Sequence, residues 1–236
     1  MLKVIKTKGT NHTMKKSIIA IFAASALVLS GCQTFDPYTG EQKTSATAKG
    51  AGIGAGIGVV LAYLSNKNKD SKTRNRKILQ AAGIGAIAGG GVGYYMDTQE
   101  AKLRKILRNS GVSVIRDGDN INLIMPSNIT FSSGGHQLNS DFFKVLDSVI
   151  LVLNEYKKTI IVVAGHTDSQ GSEESNQALS ERRAATVSVY LTSEQVTNAR
   201  IETVGFGEVY PISDNATDAG RSQNRRVELS LLPIRE

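Results

Sequence analysis

The chain has 236 residues, 40% of them hydrophobic and 21% charged, with 28 Lys and Arg against 21 Asp and Glu; that length allows one or two domains. A single cysteine excludes an intramolecular disulfide and a cysteine-based zinc cluster, and three scattered histidines make no metal site, so neither metal nor cofactor is expected. The 23 glycines against 4 prolines exclude a collagen and must be clustered. The net charge of +7 is unevenly spread: residues 1–31 carry five lysines and no acid, 32–112 carry 12 basic and 5 acidic groups, and 113–236 carry 11 basic and 16 acidic groups. The C-terminal part is therefore acidic and offers no electrostatic footprint for a polyphosphate, which removes nucleic acid as the main partner.

At the N-terminus, Lys15 and Lys16 precede a weakly polar to apolar run from Ile18 to Leu29, followed by Ser30, Gly31 and Cys32. Twelve residues are few for crossing a bilayer core, and the small residues that follow suit a signal peptidase. Residues 1–31 read as a signal peptide, with Met14-Lys15-Lys16 a complete charged start and Met14 the expected initiator. Leu29-Ser30-Gly31-Cys32 closely resembles the bacterial lipoprotein lipobox, which implies that Cys32 is the first mature residue and carries several acyl chains, enough for stable anchoring. The other reading of Cys32 is a buried thiol at the end of an uncleaved anchor helix. Gln33 stands where, in the lipoprotein pattern, an Asp retains the protein in the inner membrane; the resemblance therefore implies the outer membrane. Residues 32–48 follow as a lipidated linker.

Residues 49–97 contain an internal repeat: Ala51-Gly52-Ile53-Gly54-Ala55 returns 31 residues later as Ala82-Gly83-Ile84-Gly85-Ala86. Gly50, Gly54 and Gly58, then Gly85, Gly89 and Gly93, recur every four residues and would form one column on a helix, where another backbone can approach closely. Between the apolar segments 51–64 and 81–96, residues 65–80 carry six basic groups and only Asp70, which reads as a solvated turn or a headgroup contact. The pattern resembles the glycine zippers of bacterial envelope lipoproteins and predicts a hairpin of two close-packed helices, membrane-associated or oligomerising; a flexible Gly-rich spacer is the alternative. Gly83, Gly85 and Ala88 imitate a dinucleotide fingerprint but lack the βαβ unit that would give it meaning. Residues 98–112 read as a linker.

From residue 113 the periodicity changes. Val114 and Ile115, then Ile121, Leu123 and Ile124, flank the turn signal Asp117-Gly118-Asp119-Asn120 and predict a strand pair. Asn139, Ser140 and Asp141 offer capping oxygens ahead of Phe142, Val145, Leu146, Val149 and Leu153, which are spaced as one helix face. Ile160 to Val163 reads as a strand buried on both faces. Leu179, Ala184, Val187 and Leu191 mark a second helix, Ile201 to Val204 a strand, and the alternation from Arg226 to Leu231 the last strand. The expected fold class is a compact α/β domain over 113–236, a βαβαβ arrangement with an N-terminal strand pair.

His166-Thr167-Asp168 leaves the C-terminal end of an apolar strand, the edge where open α/β sheets place ligands, and Arg183 lies in the helix that follows. A carboxylate and a guanidinium together suit a zwitterionic ligand, one holding an ammonium and the other a carboxylate. On spacing alone, Asp168 could equally be a loop-capping carboxylate and Arg183 half of a surface salt bridge worth under about 1 kcal/mol. Arg221, Arg225 and Arg226 read as ties from the last strand to nearby carboxylates, Arg182 as solvated, and His166 as a structural turn residue. No nucleophile and base can be assembled, and Ser180 has no evident partner, so no enzyme is expected.

Thr130-Phe131-Ser132-Ser133-Gly134, Leu138, Gly165-His166-Thr167-Asp168, Gly171, then Asn176 with Leu179, Ser180, Arg183 and Ala184, Gly205-Phe206-Gly207-Glu208 with Pro211, and Gly220-Arg221 with Asn224-Arg225-Arg226-Val227-Glu228 resemble, in that order, the OmpA-like peptidoglycan-binding domain. The resemblance covers essentially all of 113–236. It implies that Asp168 and Arg183 hold the ammonium and carboxylate at the free end of meso-diaminopimelate in a peptidoglycan stem peptide. Asn176, Thr167 and Leu179 would lie near that pocket and Phe131 on its wall. The protein so implied is a lipoprotein of the outer membrane whose periplasmic domain grips peptidoglycan and tethers membrane to wall, with a second copy or other envelope proteins as further partners. The alternative is an oligomeric pore or assembly factor built on the glycine columns; a wall-modifying enzyme ranks last.

Overall fold

The computed structural model describes residues 34–35, 42–43, 60, 63, 71–83, 85–87 and 91–235 except 133. The signal segment, Met14, Cys32 and the glycines Gly50, Gly54, Gly58 and Gly89 lie outside the described residues. The chain divides into two compact units, 1–50 and 51–236. In the first, β1 (Thr34–Phe35) and β2 (Gln42–Lys43) pair antiparallel.

In the second unit, α1 (Ser71–Ala82) and α2 (Gly91–Ile106) precede β3 (Ser113–Asp117) and β4 (Asn120–Pro126). There follow a single turn α3 (Ser127–Thr130), α4 (Phe142–Glu155), β5 (Thr159–His166), α5 (Glu173–Ser193), β6 (Ile201–Gly205), α6 (Asp218–Asn224) and β7 (Arg226–Pro233). One five-stranded sheet runs β3-β4-β7-β5-β6; β5 and β6 are parallel, joined through α5, and every other pair is antiparallel. This is the expected α/β class, and the predicted strand pair closes through a two-residue turn with Gly118 at φ +54°, a region that favours glycine.

The ladder register stacks apolar side chains in rows across the sheet: Leu229 lies between Leu123 and Val163, and Leu231 between Ile121 and Ile161. All six are fully buried against α2, α4 and α5 through Met96, Leu103, Leu146, Leu153, Val187 and Leu191. Burying each such side chain is worth about 1.5–3 kcal/mol. Arg200 is the cationic pin of this layer. Its guanidinium donates to the carbonyls of Leu153, Tyr156 and Thr159, joining the end of α4 to the start of β5, and desolvation pushes its pKa down to about 10.

On the opposite face, β5 and the end of β7 present Ile160, Val162, Ala164, Leu232 and Ile234, so the strand read as buried on both faces is so. The alternation of β7 marks two faces, and both are covered. Arg226, Glu228 and Ser230 are buried, with Arg226 Nε 2.6 Å from Glu228 Oε1 and Asn122 Nδ2 donating to Glu228 Oε2.

Four expectations change. Residues 98–112 are no plain linker: α2 runs to Ile106, and Leu103 and Leu107 enter the core. The basic stretch 65–80 is helical from Ser71, because Ile78 and Leu79 give α1 an apolar strip that packs on the second sheet face. The apolar segment 81–96 is not one helix. Gly83 turns the chain at φ +63°, and Ile87 bridges to Arg235 before α2 begins. Among the described residues no helix is long and apolar enough to cross a membrane. Finally, Asn139 does not cap α4 through its side chain: its amide donates to the carbonyls of Ile129 and Phe131, pinning the loop they frame.

Candidate functional site

The site is set by how closely α5 lies on the sheet. A Cβ added at Gly165 would stand 2.1 Å from Ser180 O, and one at Gly205 would stand 2.5 Å from Ser180 Oγ, so two bare backbones on β5 and β6 admit the helix. Ser172 caps α5 by accepting from Ser175 N at 3.2 Å, and Glu173 and Glu174 occupy its first turn, where the helix dipole favours acids. Arg183 then falls just past the close contact, on the turn that faces the end of β5.

Asp168 follows β5 and is buried. Its Oδ1 accepts from Gln170 N at 3.1 Å, and its Oδ2 accepts from Arg225 Nη1 at 2.5 Å. Arg183 is 3% exposed, donates from Nε to Gly135 O at 2.9 Å and carries its guanidinium carbon 5.3 Å from the centre of the Phe131 ring. Burial lowers its pKa, the nearby Arg225 charge lowers it further, and the Asp168 carboxylate acts in the opposite sense. The two arginines and the aspartate therefore share one electrostatic neighbourhood, in which two cations face one anion.

Thr167 N donates to Gly207 O at 2.9 Å, whereas its hydroxyl is buried and has no partner among the described residues. Asn176 is buried, and its amide reaches Asp168 O at 3.2 Å, Gln170 O at 3.1 Å and Glu208 Oε2 at 2.6 Å, holding the 168–170 loop to the 205–208 loop. Leu179 is half-buried on α5, one turn before Arg183, and belongs to neither apolar cluster. Phe131 is buried and bridges to Leu138. The fold thus gathers Asp168, Arg183, Asn176, Thr167 and Phe131 around the C-terminal end of β5, with Leu179 at the edge.

Three readings of nearby residues are refined. His166 is the last residue of β5 rather than a turn residue, buried beside Phe206, with neither ring nitrogen hydrogen-bonded among the described residues and Nε2 3.8 Å from Glu228 Oε1. Arg226 and Arg221 do meet carboxylates, Glu228 and Asp218, but Arg225 meets Asp168, inside the site. Arg225, read as a carboxylate tie, and Glu208, read only as part of a motif, prove to touch the site residues Asp168 and Asn176, across 57 and 32 residues of chain. Arg182 is exposed, as its pattern suggests.

The arrangement offers charged groups able to bind a ligand. Ser180 Oγ donates to Gln177 O and accepts from Gly207 N, and no cluster among the described residues could hold a metal ion. A half-exposed cation, a buried cation and an acceptor-only carboxylate around an unpaired hydroxyl fit a ligand carrying both charges.

A domain of this architecture with a charged crevice at the strand end defines a class of noncatalytic binding modules. The chain belongs to the OmpA family: the family model, described as OmpA family, matches residues 130–225, and the model described as YMGG-like Gly-zipper matches 14–97. It is 47% identical over 223 residues to the protein described as Probable lipoprotein YiaD of Escherichia coli K12, covering 94% of this chain and 100% of that one. It is 38% identical over 109 residues to the Peptidoglycan-binding protein ArfA of Mycobacterium tuberculosis, covering 46% of this chain and 33% of that one. Among solved structures, a MotB-like protein from Desulfovibrio vulgaris superposes with a TM-score of 0.55 at 25% identity over 60% of this chain and 93% of that one. The cell wall anchor of the T6SS from Pseudomonas aeruginosa gives 0.51 at 25% identity over 56% and 96%.

Proposed function

We propose that this chain is an envelope lipoprotein that binds peptidoglycan noncovalently through the zwitterionic end of meso-diaminopimelate in the stem peptide. Asp168 receives the ammonium, Arg183 the carboxylate, and the unpaired Thr167 hydroxyl a further ligand atom. The observation that carries the reading is the convergence of these three buried groups at the end of β5, against the ring of Phe131. Membership of the OmpA family and the likeness to a relative named for peptidoglycan binding support it. A stem peptide ending in lysine offers an ammonium without the second carboxylate, so Arg183 would select diaminopimelate. With lipid on Cys32 anchoring the chain in the outer membrane and the domain in the periplasm, the protein tethers that membrane to the wall. Each grip is modest, because the ligand is small and exposed, and many sites on one polymer add avidity.

The reading of the Gly-rich region as a pore is less well supported than the tether, because α1 and α2 spend their apolar faces on the sheet. The test is co-sedimentation of the detergent-solubilised full chain with insoluble diaminopimelate-type wall, beside a lysine-type wall and the variants Asp168→Asn and Arg183→Lys. Pelleting with the first wall alone, lost in both variants, is expected. Equal pelleting of wild type and both variants would remove the site assignment. These changes, the first isosteric and the second keeping the cation, are preferred to alanine, because both side chains are buried and bonded.

A further inference from the structure

The second face of the sheet is covered by the chain that precedes the domain. Val60 is fully buried and Tyr63 half-buried on that face, and Ile78 of α1 lies against Ile160, Val162 and Ile234. The cover is fixed at both ends of the strands. At the start of β5, Ile87 N donates to Ile234 O at 3.2 Å, and Lys158 Nζ reaches Ala86 O at 3.4 Å. At the far end, Tyr63 meets Phe206 edge to face, with ring centres 5.9 Å apart at 88°.

Phe206 is where the cover touches the binding loops. Its ring lies 5.4 Å from His166 and 5.2 Å from Tyr210, and its N–H donates to Gly165 O. The next residue, Gly207, accepts from Thr167 N, and Glu208 accepts from Asn176. The links from this loop to Thr167 and Asn176 thus begin within two residues of the ring that Tyr63 meets.

We propose that Val60, Tyr63 and α1 act as an intramolecular clasp in which Tyr63, through Phe206, is a positioning residue that holds the 205–208 loop in the arrangement required by Thr167, Asp168 and Asn176. The inference rests on the peptidoglycan reading for its ligand and stands on the Tyr63–Phe206 contact for its mechanism. The coupling cannot exceed the interaction that Tyr63 makes, and an aromatic pair is worth roughly a three- to tenfold change in an equilibrium.

The experiment uses the full chain in detergent and a soluble stem peptide ending in meso-diaminopimelate, with amide hydrogen exchange read at Thr167 and Phe206. Tyr63→Ala and Tyr63→Leu are expected to weaken binding roughly three- to tenfold and to speed exchange at both amides. Folded Tyr63→Ala and Tyr63→Leu proteins that bind as wild type overturn the clasp. If the wild type itself does not bind the peptide, the ligand assignment fails, and the clasp is judged by exchange alone. Faster exchange at Thr167 and Phe206 in Tyr63→Leu then sustains it, and unchanged exchange overturns it.

Discussion

The two faces of the sheet use the same strands and different physics. Toward α2, α4 and α5, rows such as Leu123, Leu229 and Val163 interdigitate with helix side chains, and away from the buried Arg200 the requirement is chiefly one of shape. Toward the clasp, β4 and β7 bury Asn122, Arg226, Glu228 and Ser230 in one hydrogen-bonded ladder, while β5 remains apolar. The first face tolerates changes that conserve volume. The second holds together only while every polar partner is present, because an unpaired group in such surroundings forfeits its hydration without return. That demanding face is also the one that runs into the site, since Arg226 and His166 close the ladder where Arg225 and Asp168 begin the crevice.

This contrast can be broken deliberately. Glu228→Gln leaves the Arg226 cation buried without its counter-charge and should cost about 4 kcal/mol in urea unfolding, whereas replacing both by Met and Leu removes the bare charge and should recover part of that loss, the rest being kept by the Asn122 amide left without its acceptor. An equal loss in both proteins would mean that the ladder acts as packing alone. On the helix face Leu229→Ala should cost about 3 kcal/mol, by lost burial and the cavity left behind, with Leu229→Met nearly neutral. Gly165→Ala should cost about 2 kcal/mol and also abolish wall pelleting, because the added methyl group drives α5, and Arg183 with it, away from β5.

The contrast is sharpened by pH. Burial, reinforced by the Arg226 charge, holds the His166 pKa well below its ordinary 6.5, so the folded protein keeps the ring neutral where the unfolded chain would protonate it. Its stabilising effect is fully present above pH 6.5 and is lost as pH falls below that value, by up to about 1.4 kcal/mol per pH unit until the folded pKa is reached. Urea midpoints between pH 7.5 and 5.5, compared with His166→Phe, check this; the same slope in both would assign it to other groups. The smallest effect belongs to the outer surface. Val189→Thr and Leu151→Gln change side chains that are 69% and 71% exposed and should move stability by less than about 0.5 kcal/mol.

By itself the sequence determined whatever neighbours in the chain decide. Gly118 in its turn, the helix face from Phe142 to Leu153, and the doubly buried β5 were legible because a turn, a 3.6-residue period and an unbroken apolar run are local patterns. That Asp168 and Arg183 share one electrostatic neighbourhood could be anticipated, since the strand and helix that carry them are consecutive. Tertiary structure alone decided what crosses long stretches of chain: that Arg225 reaches Asp168, that Glu208 holds Asn176, and that a lysine-rich stretch becomes a helix lying on the sheet. The physical reason is the same in each case. An ion pair or an apolar strip has no preferred partner until the sheet places one beside it, and the face left open by βαβ winding could be covered only by the segment before it.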